Sequence, residues 1–127
     1  MKIRKELIAG YTRLLTMGRA VNAPDPMADL SQFDADIRAM HRRAHKEGNL
    51  DWLRLALDSL IANPRGRIGE FAGQQYPFSD QELEALFRRA YGMIWPGQPL
   101  SDPGDEADLE FVDMSAEDWA AAAGSAS

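Results

Sequence analysis

Apolar residues recur at steps of three and four along four segments of this chain of 127 residues. Such spacing places them on one face of an α-helix and predicts amphipathic helices over residues 2–22, 31–46, 50–62 and 80–95. The alternation of apolar and polar residues that is typical of a strand is confined to residues 109–112. We therefore predict an all-α fold, a compact bundle of four to five helices with an acidic C-terminal tail.

Local patterns mark the ends of the predicted helices. Residues 79–82, Ser-Asp-Gln-Glu, form a capping box ahead of the fourth helix, and residues 31–34 resemble a weaker one ahead of the second. Gly48 suits the left-handed position that follows a helix end. Asn49 is then placed to cap the third helix.

Charge divides the chain unevenly. Residues 1–67 hold twelve basic and eight acidic side chains, a net charge of +4, whereas residues 68–127 hold two and twelve, a net charge of −10. The last 27 residues contain eight acids and no base. We predict a helical domain over residues 1–97 and an acidic tail over residues 98–127, with a short docking helix at residues 116–123.

Composition excludes several classes of protein. The chain has no cysteine, so disulfide frameworks, thiolate metal sites and cysteine nucleophiles are ruled out. No run approaches the roughly 20 apolar residues that a membrane span needs, and no secretory pattern follows the basic start. We expect a soluble cytoplasmic protein, either a monomer or a homodimer, that makes no membrane contact.

The two histidines are the strongest candidates for metal binding. His41 and His45 stand four apart on a predicted helix, a spacing that can place two imidazoles on one metal ion. The guanidinium groups of Arg42 and Arg43 between them oppose a dication, and no third ligand accompanies them. We interpret the pair as part of a basic helix face and expect no metal and no cofactor.

Catalytic chemistry has little support in the sequence. Serine nucleophiles need a positioned base, and both histidines lie within one arginine-rich turn. Carboxylates such as Glu82 and Glu84 at a helix start are explained by capping and by the helix dipole. We assign no catalytic residue and expect a protein that is not an enzyme.

The acidic tail is the favoured partner-binding segment. Its carboxylates alternate with large apolar side chains, so it can present a phosphate-like array with aromatic anchors to a basic groove. It can also fold back on the basic helix of the same chain, or serve only as a solvating terminus. The predicted partner-binding residues are Asp105, Glu106, Asp108, Glu110, Phe111, Asp113, Glu117, Asp118 and Trp119.

A basic cluster on the second predicted helix supports an alternative. The helix–Gly48-Asn49–helix arrangement resembles a helix-turn-helix, in which one helix enters the major groove. Asp51 and Asp58 on the following helix, together with the net charge of −6, disfavour direct nucleic-acid binding. The residues that would contact phosphates are Arg38, Arg42, Arg43 and Lys46.

In size, charge and helicity the chain resembles many short proteins of phages and other mobile elements. That group includes anti-CRISPR inhibitors, DNA mimics and toxin-neutralising immunity proteins. The resemblance implies an interaction or inhibitor protein that blocks a basic, nucleic-acid-handling partner such as a CRISPR effector or a toxin. Blocking would be steric and electrostatic, and the alternative is a small DNA-binding transcriptional regulator. The flank formed by Trp52 and Leu55 is a candidate dimer face.

Overall fold

The structure is a computed structural model that describes residues 2–63, 67–72, 76–103 and 109–125. Within these ranges the chain forms five α-helices and one small parallel sheet, so the predicted all-α bundle is confirmed. In chain order the elements are β1 (Lys2–Arg4), α1 (Lys5–Thr16), α2 (Asp34–Lys46), α3 (Leu50–Ala62), α4 (Asp80–Ile94), β2 (Glu110–Val112) and α5 (Ala116–Ser125). Across the described ranges, no helix combines the length and the apolar character needed to span a bilayer.

The four helices α1–α4 enclose the core. α1 packs on α2, and α4 packs on both α2 and α3. Their apolar stripes meet in the centre, where Leu15, Met40, Leu57 and Phe87 have no solvent exposure. Burying one such side chain stabilises a fold by about 1.5–3 kcal/mol, so the stripes account for the bundle.

The first predicted helix is wrong at both ends. Lys2–Arg4 forms a strand, because a second strand far along the chain pairs with it. The helix ends at Thr16, and a turn follows in which Gly18 lies so close to Asp36 that a Cβ atom would come within 2.7 Å of the carboxylate. The same carboxylate accepts a hydrogen bond from the Ala20 amide at 3.2 Å.

Capping explains where the other helices begin and end. Ser31 does not cap the second helix as predicted, since Asp29 accepts a hydrogen bond from the Ser31 amide at 2.9 Å and a 3₁₀ turn precedes α2. Gly48 adopts the predicted left-handed conformation with φ +74°. The predicted capping box is confirmed, with Ser79 and Glu82 each accepting the other's amide hydrogen bond. α3 has its predicted bounds.

The C-terminal segment, residues 98–103 and 109–125, packs against the helices. β2 pairs in parallel with β1, with Ile3 opposite Phe111. Asp58 of α3 accepts hydrogen bonds from the amide and the hydroxyl of Ser101, at 2.8 and 2.7 Å. The division into two domains at residue 97 stays a prediction, and packing contacts cross it.

Candidate functional site

Two aromatic pairs dock the C-terminal segment. Trp119 of α5 lies edge-on to Trp52 of α3, with 4.9 Å between ring centroids, and only 8% of Trp119 is exposed. Phe111 of β2 lies edge-on to Phe71, with 5.0 Å between centroids. Trp52, predicted to contribute to a dimer face, is half-buried and is partly covered by its own chain. The rings that we predicted as partner anchors are engaged in the chain's own packing.

Two arginines add polar contacts to this docking. The guanidinium of Arg67 donates to the carbonyl oxygens of Leu109 at 3.1 Å and Asn63 at 2.7 Å, and it stacks 5.4 Å from the Phe111 ring centroid. Arg4 Nε donates to the carbonyl of Met114 at 2.8 Å. These bonds join the C-terminal segment to the loop after α3 and to β1, so its backbone is held at two separate points.

Four of the predicted partner-binding acids are exposed, and we call them the acidic surface: Glu110, Asp113, Glu117 and Asp118. The other three, Asp105, Glu106 and Asp108, lie outside the described residues. Among the described residues, no ion pair involves any of the four.

The start of α5 accounts for part of this arrangement. α5 is two residues longer than the helix predicted at residues 116–123, and it begins as the sequence indicates, with the Ser115 hydroxyl accepting a hydrogen bond from the Asp118 amide at 3.0 Å. Glu117 and Asp118 occupy its first turn, where negative charge is favourable to the helix dipole. Asp113 lies near Lys5: the hydrogen bond to Glu70 raises the pKa of Lys5, and the charge of Asp113 raises it further.

The predicted basic cluster lies on the exposed side of α2. We call these four residues the basic face: Arg38, Arg42, Arg43 and Lys46. Arg43 is paired loosely with Glu47, with 3.7 Å between Nε and Oε2. No ion pair within the described ranges involves Arg38, Arg42 or Lys46. The sequence also allowed the tail to fold back on this helix, but Trp119 docks on α3. The basic face stays open to solvent.

The helix that follows the basic face is mostly buried. Seven of the thirteen residues of α3 are buried, including Leu57 and Asp58. A recognition helix must expose one side to the edges of the bases. The position of α3 in the core therefore removes it from that role, although the turn at Gly48 resembles the turn of such motifs.

A polar cleft lies between α1 and α2 and has a volume of about 210 Å³. Tyr11 at its base donates a hydrogen bond to Glu47 at 2.6 Å and accepts one from Asn49 at 2.9 Å. Burial, aided by the bond to Glu47, raises the pKa of Tyr11 to about 12. Asn49 was predicted to cap α3, but its side chain makes no capping bond and donates to the Tyr11 hydroxyl instead.

The two histidines lie four residues apart on α2. His41 is half-buried and His45 is exposed on α2. In the part of the chain that the structure describes, no group of three histidine, aspartate or glutamate side chains is placed to hold a metal ion.

Comparison with known proteins gives no relative. No family model matches the chain, and neither a curated protein nor a solved structure shows significant similarity to it.

The residues that sequence reasoning missed are those that act between distant segments. Arg67 lies in a stretch without periodicity, and nothing local shows that it reaches Leu109, the residue before β2. The alternation at Lys2–Arg4 was hidden within an apparent helical pattern. Tyr11 lies on the apolar stripe of the first helix, and only its hydroxyl group indicates a polar role.

Proposed function

We propose that this chain is a non-enzymatic interaction protein that binds a partner with a basic surface and blocks it. One observation carries the proposal: the rings of the C-terminal segment are docked in its own fold, while the four carboxylates of the acidic surface stay exposed. Exposed carboxylates that make no ion pair within the described residues, carried by a docked segment, complement a surface rich in lysine and arginine. Nucleic-acid-handling proteins, including CRISPR effectors and many toxins, have such surfaces.

Docking changes the mode of recognition that the sequence suggests. Because Phe111 and Trp119 are packed within the chain, the contact with a partner depends on charge rather than on inserted aromatic anchors. Charge-based contacts accelerate association and weaken as ionic strength rises. Since α5 is already folded, little conformational entropy is lost on binding. The proposed mechanism is occlusion of the partner's basic groove, without turnover.

Charge reversal tests this proposal better than truncation, because truncation at residue 100 would also remove β2 and uncover Trp52. The double variant Glu117→Lys/Asp118→Lys reverses half of the acidic surface. The control variant, Asp25→Lys/Asp80→Lys, makes the same change in net charge elsewhere on the chain. It also alters one helix start, that of α4. A lysine-rich peptide serves as the probe of basic surfaces, and its affinity is measured by calorimetry at low salt.

We expect the Glu117/Asp118 variant to lose at least about tenfold in affinity, since two charge contacts are reversed. The control variant should lose much less. Equal losses in the two variants would show that only net charge matters, and the proposal would then be wrong. Proteins retained from a host lysate by the unmodified chain and by the control, but not by the Glu117/Asp118 variant, would identify the partner.

The basic face favours a second candidate, a small DNA-binding transcriptional regulator. Arg38, Arg42 and Lys46 follow one another at steps of four on α2, about 6 Å apart along the helix axis, a spacing suited to successive phosphates. Phosphate contacts of this kind give affinity without sequence readout. A duplex shift at low salt that disappears in Arg42→Ala/Lys46→Ala would favour this candidate, and no shift with any duplex would exclude it.

A further inference from the structure

We propose that the cleft between α1 and α2 binds a small oxyanion, a carboxylate or a phosphate group, through Arg4 and Arg43. The inference is independent of the acidic surface. Both guanidiniums line the cleft, together with Glu6, Gly10 and Glu47. The formal charges of the lining cancel, so the ligand preference of the cleft depends on which of these groups can still form hydrogen bonds.

Both carboxylates of the cleft are already engaged. Glu6 is bonded to Arg13, with 2.6 Å between Oε1 and Nη1, and this bond lowers the pKa of Glu6. Glu47 accepts the Tyr11 hydroxyl hydrogen at 2.6 Å. Each carboxylate therefore has a close donor of its own that is neither Arg4 nor Arg43.

Both arginines, in contrast, retain unused donors. Among the described residues, the guanidinium of Arg4 makes one hydrogen bond, from Nε to the Met114 carbonyl, which leaves its two terminal nitrogens for a ligand. Arg43 has only the 3.7 Å contact with Glu47. A guanidinium presents its terminal N–H groups as a planar fork that matches the oxygens of a carboxylate or a phosphate. The groups of the cleft that can still form hydrogen bonds are therefore mainly N–H donors, which suit an oxyanion.

The first turns of α1 add to this preference. The residue before the helix, Arg4, provides no side-chain cap, so the first amide groups of α1 have no side-chain acceptor there. The positive end of the α1 dipole also lies at the cleft. By itself a helix start would not make a site, but here it accompanies two arginines with unused donors.

The cleft has room for a small ligand. Its volume of about 210 Å³ is smaller than the pocket of a drug-sized compound. Gly10 lies on its wall in the interior of α1, and a Cβ atom there would meet nothing within 4 Å. Glycine in a helix interior is unfavourable relative to alanine, and at this position it leaves the cleft open.

The experiment follows binding of inorganic phosphate and of succinate, used as separate probes, by amide chemical shifts of the full chain. We expect saturable shifts centred on Gly10, Tyr11 and Glu47 with at least one of the two probes at millimolar concentration. Tighter binding of phosphate assigns the site to a phosphorylated ligand. Tighter binding of succinate assigns it to a carboxylate.

Variants then locate the site. Arg43→Gln should weaken binding by at least about tenfold, because a charge-assisted contact is lost. Gly10→Leu should abolish binding by filling the cleft. The matched controls are Arg88→Gln, from an exposed i,i+4 pair on α4, and Gly92→Leu, at a helical glycine that also has open space. Both controls should bind as the unmodified chain does.

Circular dichroism confirms that each variant is folded before its binding is compared. The shift map of the unmodified chain tests the proposal even if a variant fails to fold. No saturable shift with either probe would overturn the proposal. So would shifts that arise away from the cleft, or binding that survives both Arg43→Gln and Gly10→Leu.

Discussion

The helices α1–α4 bury apolar residues along whole stripes, whereas the C-terminal segment is held by a few single contacts. Leu57 and Phe87 lie in the bundle core with no exposure, surrounded by side chains from several helices. The segment depends on the Trp119–Trp52 and Phe111–Phe71 pairs and on hydrogen bonds from arginine. The bundle and the segment should therefore respond differently to the same kind of substitution, since weakly packed parts can open without global unfolding.

Removing a core side chain should give the largest effect. We expect Leu57→Ala to lower the free energy of unfolding by about 2–5 kcal/mol, because a cavity forms at the centre of the bundle. Urea unfolding followed by circular dichroism, which reports mainly on the helices of the bundle, measures this loss. Leu55→Ala, at a half-buried position of the same helix, is the control and should cost about 1 kcal/mol or less. Similar losses in both variants would contradict the assignment of Leu57 to the core.

Removing the main anchor of the segment should act more locally. We expect Trp119→Ala to lower the free energy of unfolding by about 2 kcal/mol, the apolar contribution of the ring. The substitution should open α5 while the bundle stays folded. Amide hydrogen exchange should accelerate in α5 and stay slow in α3. The control is Glu117→Ala, at an exposed position in the first turn of α5, which should change the free energy of unfolding by no more than about 0.5 kcal/mol. Unchanged exchange in α5 of Trp119→Ala would show that Trp119 is not the anchor.

The same contrast explains what the sequence could predict. The bounds of α3 and the capping box at Ser79 follow from local periodicity and local hydrogen bonds, and both are as expected. The pairing of Lys2–Arg4 with a strand more than one hundred residues away depends on tertiary structure, which no local pattern encodes. The first helix was therefore predicted too long.

Two serine caps provide an intermediate comparison. Ser79 caps α4 within the bundle, and Ser115 caps α5 in the segment. We expect Ser79→Ala to lower the free energy of unfolding by about 1 kcal/mol, the usual effect of losing a cap. Ser115→Ala should change global unfolding less, because α5 can open separately. Equal effects in urea unfolding would mean that the two regions form one cooperative unit.

The smallest expected effect concerns an ion pair between α2 and α4. The Arg89 guanidinium donates to both oxygens of Asp34, at 2.7 and 2.9 Å, and this lowers the pKa of that carboxyl from its ordinary value of 3.8. The contribution of this ion pair to stability is therefore present above the pKa that Asp34 has in the unfolded chain, and it is lost as pH falls through the pKa of Asp34 in the folded chain. The stability difference between the unmodified chain and Asp34→Asn should shrink below about pH 4. A difference that is constant from neutral to acid pH would exclude this contribution.

The candidate sites were predictable to different degrees. The acidic surface and the basic face follow from charge along the chain, since exposed carboxylates and guanidiniums need only a helix or strand to present them. The engagement of Phe111 and Trp119 could not be predicted, because an exposed anchor and a docked ring have the same sequence pattern. The cleft joins Arg4, Tyr11 and Glu47 from two elements, so it exists only in the folded chain.

The central claim is that the C-terminal segment is docked and presents its carboxylates from a fixed position. Backbone ¹⁵N relaxation of the full chain tests this most directly, by comparing amides 110–112 and 116–122 with those of α3. We predict order parameters near about 0.85 in both, as in rigid backbone. Values below about 0.6 across 110–122, typical of flexible chain, would contradict the claim.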